Sequence, residues 1–233
     1  MRRKQVKMTI LTQNAKMKKS SQNGINVFNF GIPAFQSETG LRTCPKASQC
    51  ATGCYARTGT YRFKNTINAY ETRLKLTQTE DFVPLLVAAI NIESIKSRAK
   101  GLKCVIRIHD AGDFYSKEYA KKWFEVMARF LNSPDVSFYA YTKMISMFET
   151  FKSENIIPSN FRAIYSYGGM EDSQIDTESH RHSKVFQNEA DLVSNGYVNA
   201  SQDDMLALTD CLKVGLVYHG VKSYQNTTWN KVG

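Results

Sequence analysis

Five apolar or aromatic runs, each ending in or closely followed by polar, ionisable or cysteine residues, alternate along this chain with stretches of helical periodicity. The runs are Val27 to Pro33, Lys103 to Asp110, Val136 to Thr142, Phe161 to Tyr167 and Val214 to His219. Their β-branched and aromatic content suits strands. Between them, Phe63 to Thr77 reads as a helix with Ile67, Tyr70, Leu74 and Thr77 on one face and Arg62, Arg73 and Lys75 elsewhere. Asp81 is placed to cap a second helix carrying Phe82, Leu85, Leu86, Ala89 and Ile90. Ser116 is placed to cap a third, with Tyr119, Ala120, Trp123, Phe124, Met127, Phe130 and Leu131 as its buried stripe, and Ile145 to Lys152 forms a fourth. Residues 170–184 are polar, contain His180 and His182, and read as a long loop before a short strand at Val185 to Gln187. Strand and helix in alternation predict an α/β fold, a mostly parallel sheet of βα units in the form of an incomplete, TIM-like barrel.

In such folds the chemistry collects at the C-terminal ends of the strands. Those ends carry a cysteine loop, then His109, Asp110 and Asp113, then Lys143, then Ser166, Gly168 and Gly169, and last His219. His109 has the chemistry of an acid/base, an anion contact or a metal ligand. Strand alternation puts Arg107 and His109 on one face and Ile108 and Asp110 on the other. Asp113, beside Gly112, suits either a turn cap or catalysis. Lys143 suits a phosphate or carboxylate contact. His109, Asp110, Asp113 and Lys143 are therefore the catalytic candidates, with Ser166, Gly168, Gly169 and His219 as substrate or cofactor contacts.

Three of the five cysteines fall within eleven residues, Cys44, Cys50 and Cys54, in a stretch of small and polar residues. An odd count and close spacing favour a metal site over a disulfide framework. Thiolates suit zinc or an iron–sulfur centre. Structural zinc usually takes two paired knuckles, whereas one trio fits a 4Fe-4S cluster with an open iron, or a zinc completed by Cys211 or a histidine.

Charge is concentrated at one end. Residues 1–79 hold fourteen Lys or Arg against two acids, Glu38 and Glu71, although the whole chain of 233 residues is only +10. A basic block on a near-neutral body fits an anionic partner, either a small molecule or nucleic acid. Residues 1–24 read as a basic polar leader and 25–233 as one α/β domain carrying the cysteine loop at 44–54. The longest apolar run, Leu85 to Ile90, is far short of a membrane span, and the basic N-terminus lacks a secretory apolar core, so a cytoplasmic protein is expected. Walker, nucleophile-elbow, HExxH, dinucleotide, helix-turn-helix, finger and RRM signatures are absent.

The strings CPKASQCATGCYARTGTYRF, VIRIHDAGDFYSKEYAKKWFEV and VSFYAYTK, in that order, resemble the phage "gene product 88" family. More distantly, a cysteine trio after the first strand, ending in C-x3-C-Y, is similar to radical S-adenosylmethionine (SAM) enzymes. Gly168-Gly169-Met170-Glu171 resembles the glycine-rich SAM-binding stretch of those enzymes. The resemblance implies a 4Fe-4S cluster on Cys44, Cys50 and Cys54, with Cys211 as a further ligand. It also implies SAM as cofactor, an electron donor as partner, and enzymatic action on an anionic substrate such as a nucleotide or nucleic acid. The alternative is a metal-stabilised nucleic-acid-binding or host-interacting protein without catalysis.

Overall fold

The computed structural model describes residues 9–202 and 204–219. Arg2, Arg3, Lys4 and Lys7 of the basic leader, and Gly220, lie outside the described residues. In chain order the elements are α1 (Ala15–Lys19), β1 (Ile25–Phe30), α2 (Lys64–Thr77), α3 (Phe82–Arg98), β2 (Lys103–Ile108), α4 (Lys117–Ala128), β3 (Val136–Thr142), α5 (Ile145–Ser153), β4 (Phe161–Ser166), β5 (His182–Phe186), α6 (Glu189–Ser194), β6 (Val198–Asn199) and β7 (Lys213–Val217). The seven strands form one parallel sheet in the order β1-β2-β3-β4-β5-β7-β6, curled into a half-barrel. The expected α/β partial barrel is the observed fold.

Strand alternation builds two layers. Phe28, Phe30, Ile106, Ile108, Phe138 and Ala140 face the helices, where Leu74, Phe82, Leu86, Trp123 and Phe148 complete the main core. Phe30 sits edge-on to Phe82 and Trp123, with centroids 5.6 and 5.4 Å away, a geometry that the ring quadrupoles favour. Val27, Val105, Tyr139 and Ile164 face the concave side, where Met17 of α1 and Ala207 pack onto them. The segment read as a leader thus contributes a buried side chain, and its Thr12 bridges to Asn29 of β1. No helix among the described residues is long and apolar enough to cross a membrane.

Several local expectations need correction. The first strand starts two residues earlier and ends at Phe30, so Gly31 to Pro33 lie beyond it. The polar loop stops short of His182, which opens β5 and is fully buried with Nε2 3.0 Å from the Tyr197 hydroxyl. Arg73 is not surface charge. It is buried, donating from Nε to Gly31 O at 2.7 Å and from a terminal nitrogen to Thr9 O at 3.3 Å. Leu131 falls past the end of α4 and is exposed. The Ser116 cap is as expected, its Oγ accepting from Tyr119 N at 3.1 Å.

Candidate functional site

The cysteine loop leaves β1 and crosses the mouth of the half-barrel, tied down at three places. Asp113 N donates to Thr43 O at 2.9 Å, anchoring the loop to the end of β2. Beyond β4, Ala47 and Gly169 form an antiparallel bridge, Gly168 O accepts from Ser48 N (3.2 Å) and Cys50 N (3.1 Å), and Met170 N donates to Lys46 O (2.8 Å). Lys46 Nζ also pairs with Glu171 Oε1 at 2.8 Å, and Glu171 in turn accepts from Ser146 N and Oγ at the start of α5. At the far side, the Tyr218 hydroxyl donates to Gly53 O at 3.3 Å. Gly168 and Gly169 hold the loop through these contacts. A Cβ on Gly169 would stand 3.0 Å from Lys46 O and 3.2 Å from the Lys143 stem.

Beneath the loop lies a cavity of about 180 Å³. Cys44, Cys50 and Cys54 line it together with Asp110, Lys143 and His219; His109, Asp113 and Ser166 also border it. A single cavity therefore gathers residues that the sequence places on five strand ends. The Cys44 Sγ accepts from Phe35 N at 3.3 Å. Burial pushes the Cys44 thiol up to about 12 and raises that of Cys54, while a backbone hydrogen bond to each sulfur opposes the shift.

A model of the Gene product 88 family matches residues 8–226. The chain belongs to the Gene product 88 family. Comparison with curated proteins and with solved structures finds no match.

The acidic residues of this Gene product 88 chain have separate surroundings. Asp113 is buried and satisfied on both oxygens. Oδ1 accepts from Phe114 N (2.8 Å) and Thr142 Oγ1 (2.7 Å), and Oδ2 from Lys143 N (2.9 Å). Burial raises its carboxyl pKa against these hydrogen bonds. The carboxylate clamps β2 to β3, which is the turn-capping use enlarged to two strands. Asp110 Oδ2 accepts from the Tyr61 and Tyr70 hydroxyls at 3.0 and 2.8 Å, and its carbonyl accepts from the Tyr55 hydroxyl. Its Oδ1 is buried without a hydrogen-bond partner. A Cβ on Gly31 would stand 2.1 Å from that oxygen, so only glycine leaves room for it.

His109 does not follow strand alternation. Its φ of 65° lies in the left-handed region and puts the ring among Phe114 and Tyr119, with Nε2 2.8 Å from the Tyr119 hydroxyl. Burial holds the imidazole down to about 3, so it is neutral at pH 7, and Nδ1 has no partner. Lys143 Nζ donates to Ser166 Oγ at 2.8 Å. His219 is exposed, its ring 5.1 Å from that of Tyr55. Cys211 is not brought to the cavity. It precedes β7, while the cavity is lined by residues at the other end of that strand, roughly 13 Å further along. Its Sγ donates to Lys213 O at 3.5 Å.

Sequence reasoning missed Tyr55, Tyr61 and Tyr70, which cage Asp110, and Arg107 and Tyr141, which line the cavity floor. The tyrosines carry one signal: all three lie within sixteen residues after Cys54, two of them in the string CYARTGTYRF.

Whether these thiols suit a metal depends on its size. Among the described residues no three His, Cys, Asp or Glu side chains are grouped to hold one metal ion. Zinc needs its ligands converging at about 2.3 Å from a point. A cluster spreads its cysteines around a cage of several atoms, so they stand around a cavity and do not meet. Three thiols on one cavity wall, two of them accepting backbone N–H groups, are a donor set of the second kind.

Proposed function

We propose that this chain is an iron–sulfur protein, with a 4Fe-4S cluster held by Cys44, Cys50 and Cys54, and that it acts as an enzyme on an anionic substrate entering the cavity beneath them. The observation that carries this reading is the lining of one cavity by three thiols from one loop and by polar groups from the strand ends. When bound, the cluster supplies one-electron chemistry, which calls for an electron donor as partner. The protein's own residues position the reactants. Lys143 presents an ammonium, and the Tyr61 and Tyr70 hydroxyls keep the Asp110 carboxylate fixed at the cavity edge while Tyr55 holds its carbonyl. Exposed Arg42, Arg57, Arg62 and Lys64 surround the loop and attract anions, including nucleotides or nucleic acid.

Anaerobic purification without a metal-binding tag tests this directly. About four irons and four sulfides per chain, with broad absorption near 400 nm, are expected of a Cys-ligated cluster and should be lost in Cys50→Ser. One zinc and no sulfide, or no metal at all, overturns the reading. SAM is the co-substrate that the likeness to radical SAM enzymes suggests, and C-x5-C-x3-C differs from their C-x3-C-x2-C spacing. Reductive cleavage of added SAM by the loaded protein is its test, and failure to cleave removes SAM from the proposal.

The exposed basic rim also favours a second reading, a nucleic-acid-binding protein in which the metal only fixes the loop. Chelator-induced unfolding together with strongly salt-dependent binding of nucleic acid, and no turnover, decides for it.

A further inference from the structure

We propose that Arg107 and Tyr141 form an anion site on the floor of the cavity, built to hold a carboxylate or phosphate group of the substrate. The inference rests on the cavity being a substrate site, as proposed above, but not on the cluster. Arg107 stands in a cross-strand row, between Asn29 of β1 and Tyr139 of β3, and Tyr141 lies two residues further along β3 on the same face. The Arg107 guanidinium carbon is 5.5 Å from the centroid of the Tyr141 ring, and both residues line the cavity.

Two features mark this pair as awaiting an acceptor. First, Arg107 Nε and the Tyr141 hydroxyl are buried and have no hydrogen-bond partner. Buried donors are nearly always satisfied, and leaving one unmade forfeits the full cost of its desolvation. Two such donors bordering one cavity fit an oxygen ligand that brings the missing lone pairs. Second, the guanidinium is held in place: Asp204 Oδ1, on a fully buried carboxylate, is 3.5 Å from Arg107 Nη1, so Nε keeps a fixed direction. Arg107 adds a planar guanidinium suited to carboxylate or phosphate oxygens.

Lys143, the anion contact expected from sequence, gives one of its three N–H donors to Ser166 and borders the same cavity, and Arg107 adds to it the planar fork that a point charge lacks. The basic rim outside would draw an anion in, and this buried pair would select and orient it.

Isothermal titration of the full chain as purified, at low ionic strength, with inorganic phosphate and separately with acetate, tests the site. Iron, sulfide and zinc are measured on each preparation. One saturable site per chain for either probe is expected, and the preferred probe distinguishes a phosphorylated from a carboxylated substrate. Arg107→Gln should weaken binding about tenfold or more and Tyr141→Phe about threefold or more, whereas Lys100→Gln, exposed at the turn before β2 and so at the end of the sheet away from the cavity, should not. Tyr141→Phe keeps the ring and its packing, so it decides the matter if Arg107→Gln fails to fold. Absence of saturable binding, or wild-type affinity in Tyr141→Phe, overturns the proposal. Loss of iron in every preparation with the anion site intact would instead sink the cluster reading alone.

Discussion

The carbonyl oxygen of Gly168 accepts a hydrogen bond from the backbone N–H of Cys50, 3.1 Å away. A glycine pair beyond the fourth strand thereby fixes the middle cysteine of a loop that leaves the first strand more than a hundred residues earlier. The sheet ends on either side of the cavity are joined by this contact, the Ala47–Gly169 bridge and the Lys46–Glu171 ion pair.

Gly169→Val tests how far the loop depends on that seam. Its side chain would push on Lys46 O and on the Lys143 stem, and the backbone oxygen has little freedom to yield. A loss of about 1–3 kcal/mol is expected from overpacking. Hydrogen exchange should also quicken at the Cys50 amide before it does at the β2 amides. Equal exchange in variant and wild type would mean the loop is held from elsewhere.

Thr142→Val removes the 2.7 Å hydrogen bond to Asp113 Oδ1 while keeping the side chain's shape. The carboxylate stays buried with one donor fewer, so chemical denaturation should show a loss of about 1–3 kcal/mol. Thr142→Ser, which restores the hydroxyl, should recover most of it.

His109 makes folding sensitive to acid. Its folded value of about 3 lies below the ordinary imidazole value of about 6.5, so the neutral form is the one that folding favours. Its contribution is whole above pH 6.5 and is lost as pH falls from there toward 3, at up to ~1.4 kcal/mol per pH unit. His109→Asn, with a side chain that tolerates the left-handed backbone, removes the titrating group. Denaturation midpoints between pH 7.5 and 4.5 should fall more steeply for wild type than for the variant. Parallel curves would show that the ring is not held neutral.

In metal-free protein the Cys44 thiol should resist iodoacetamide. With its thiol pushed up to about 12, its thiolate fraction at pH 8 is about a thousandfold below that of a free cysteine. Cys104, fully buried and likewise pushed to about 12, should resist with it. Peptide mass spectrometry after native labelling, then after unfolding, reads both sites. Rapid native labelling of Cys44 would show a loop more open than its hydrogen bonds imply.

The sequence by itself determined the alternation of strands and helices, the Ser116 cap, and the collection of polar groups at the strand ends. Each is written in local periodicity or in a single side chain bonding within one turn. Segments with weak local patterns were legible only in part or not at all: β5, whose HSKVF mixes polar and apolar residues, was read only at its end, as Val185 to Gln187, and the short α6 and β6 were not read. Only the tertiary structure decided what each polar group does. Arg73 is buried because Gly31 and Thr9, remote in sequence, offer carbonyls to its guanidinium. His109 leaves the expected face because one backbone φ is positive. Gly168 and Gly169 support the cysteines because β4 ends beside the loop, and Cys211 stands apart because it precedes β7, whose far end borders the cavity. Hydrogen bonds and ion pairs depend on distances of a few ångströms between distant segments, and periodicity along the chain does not encode those distances.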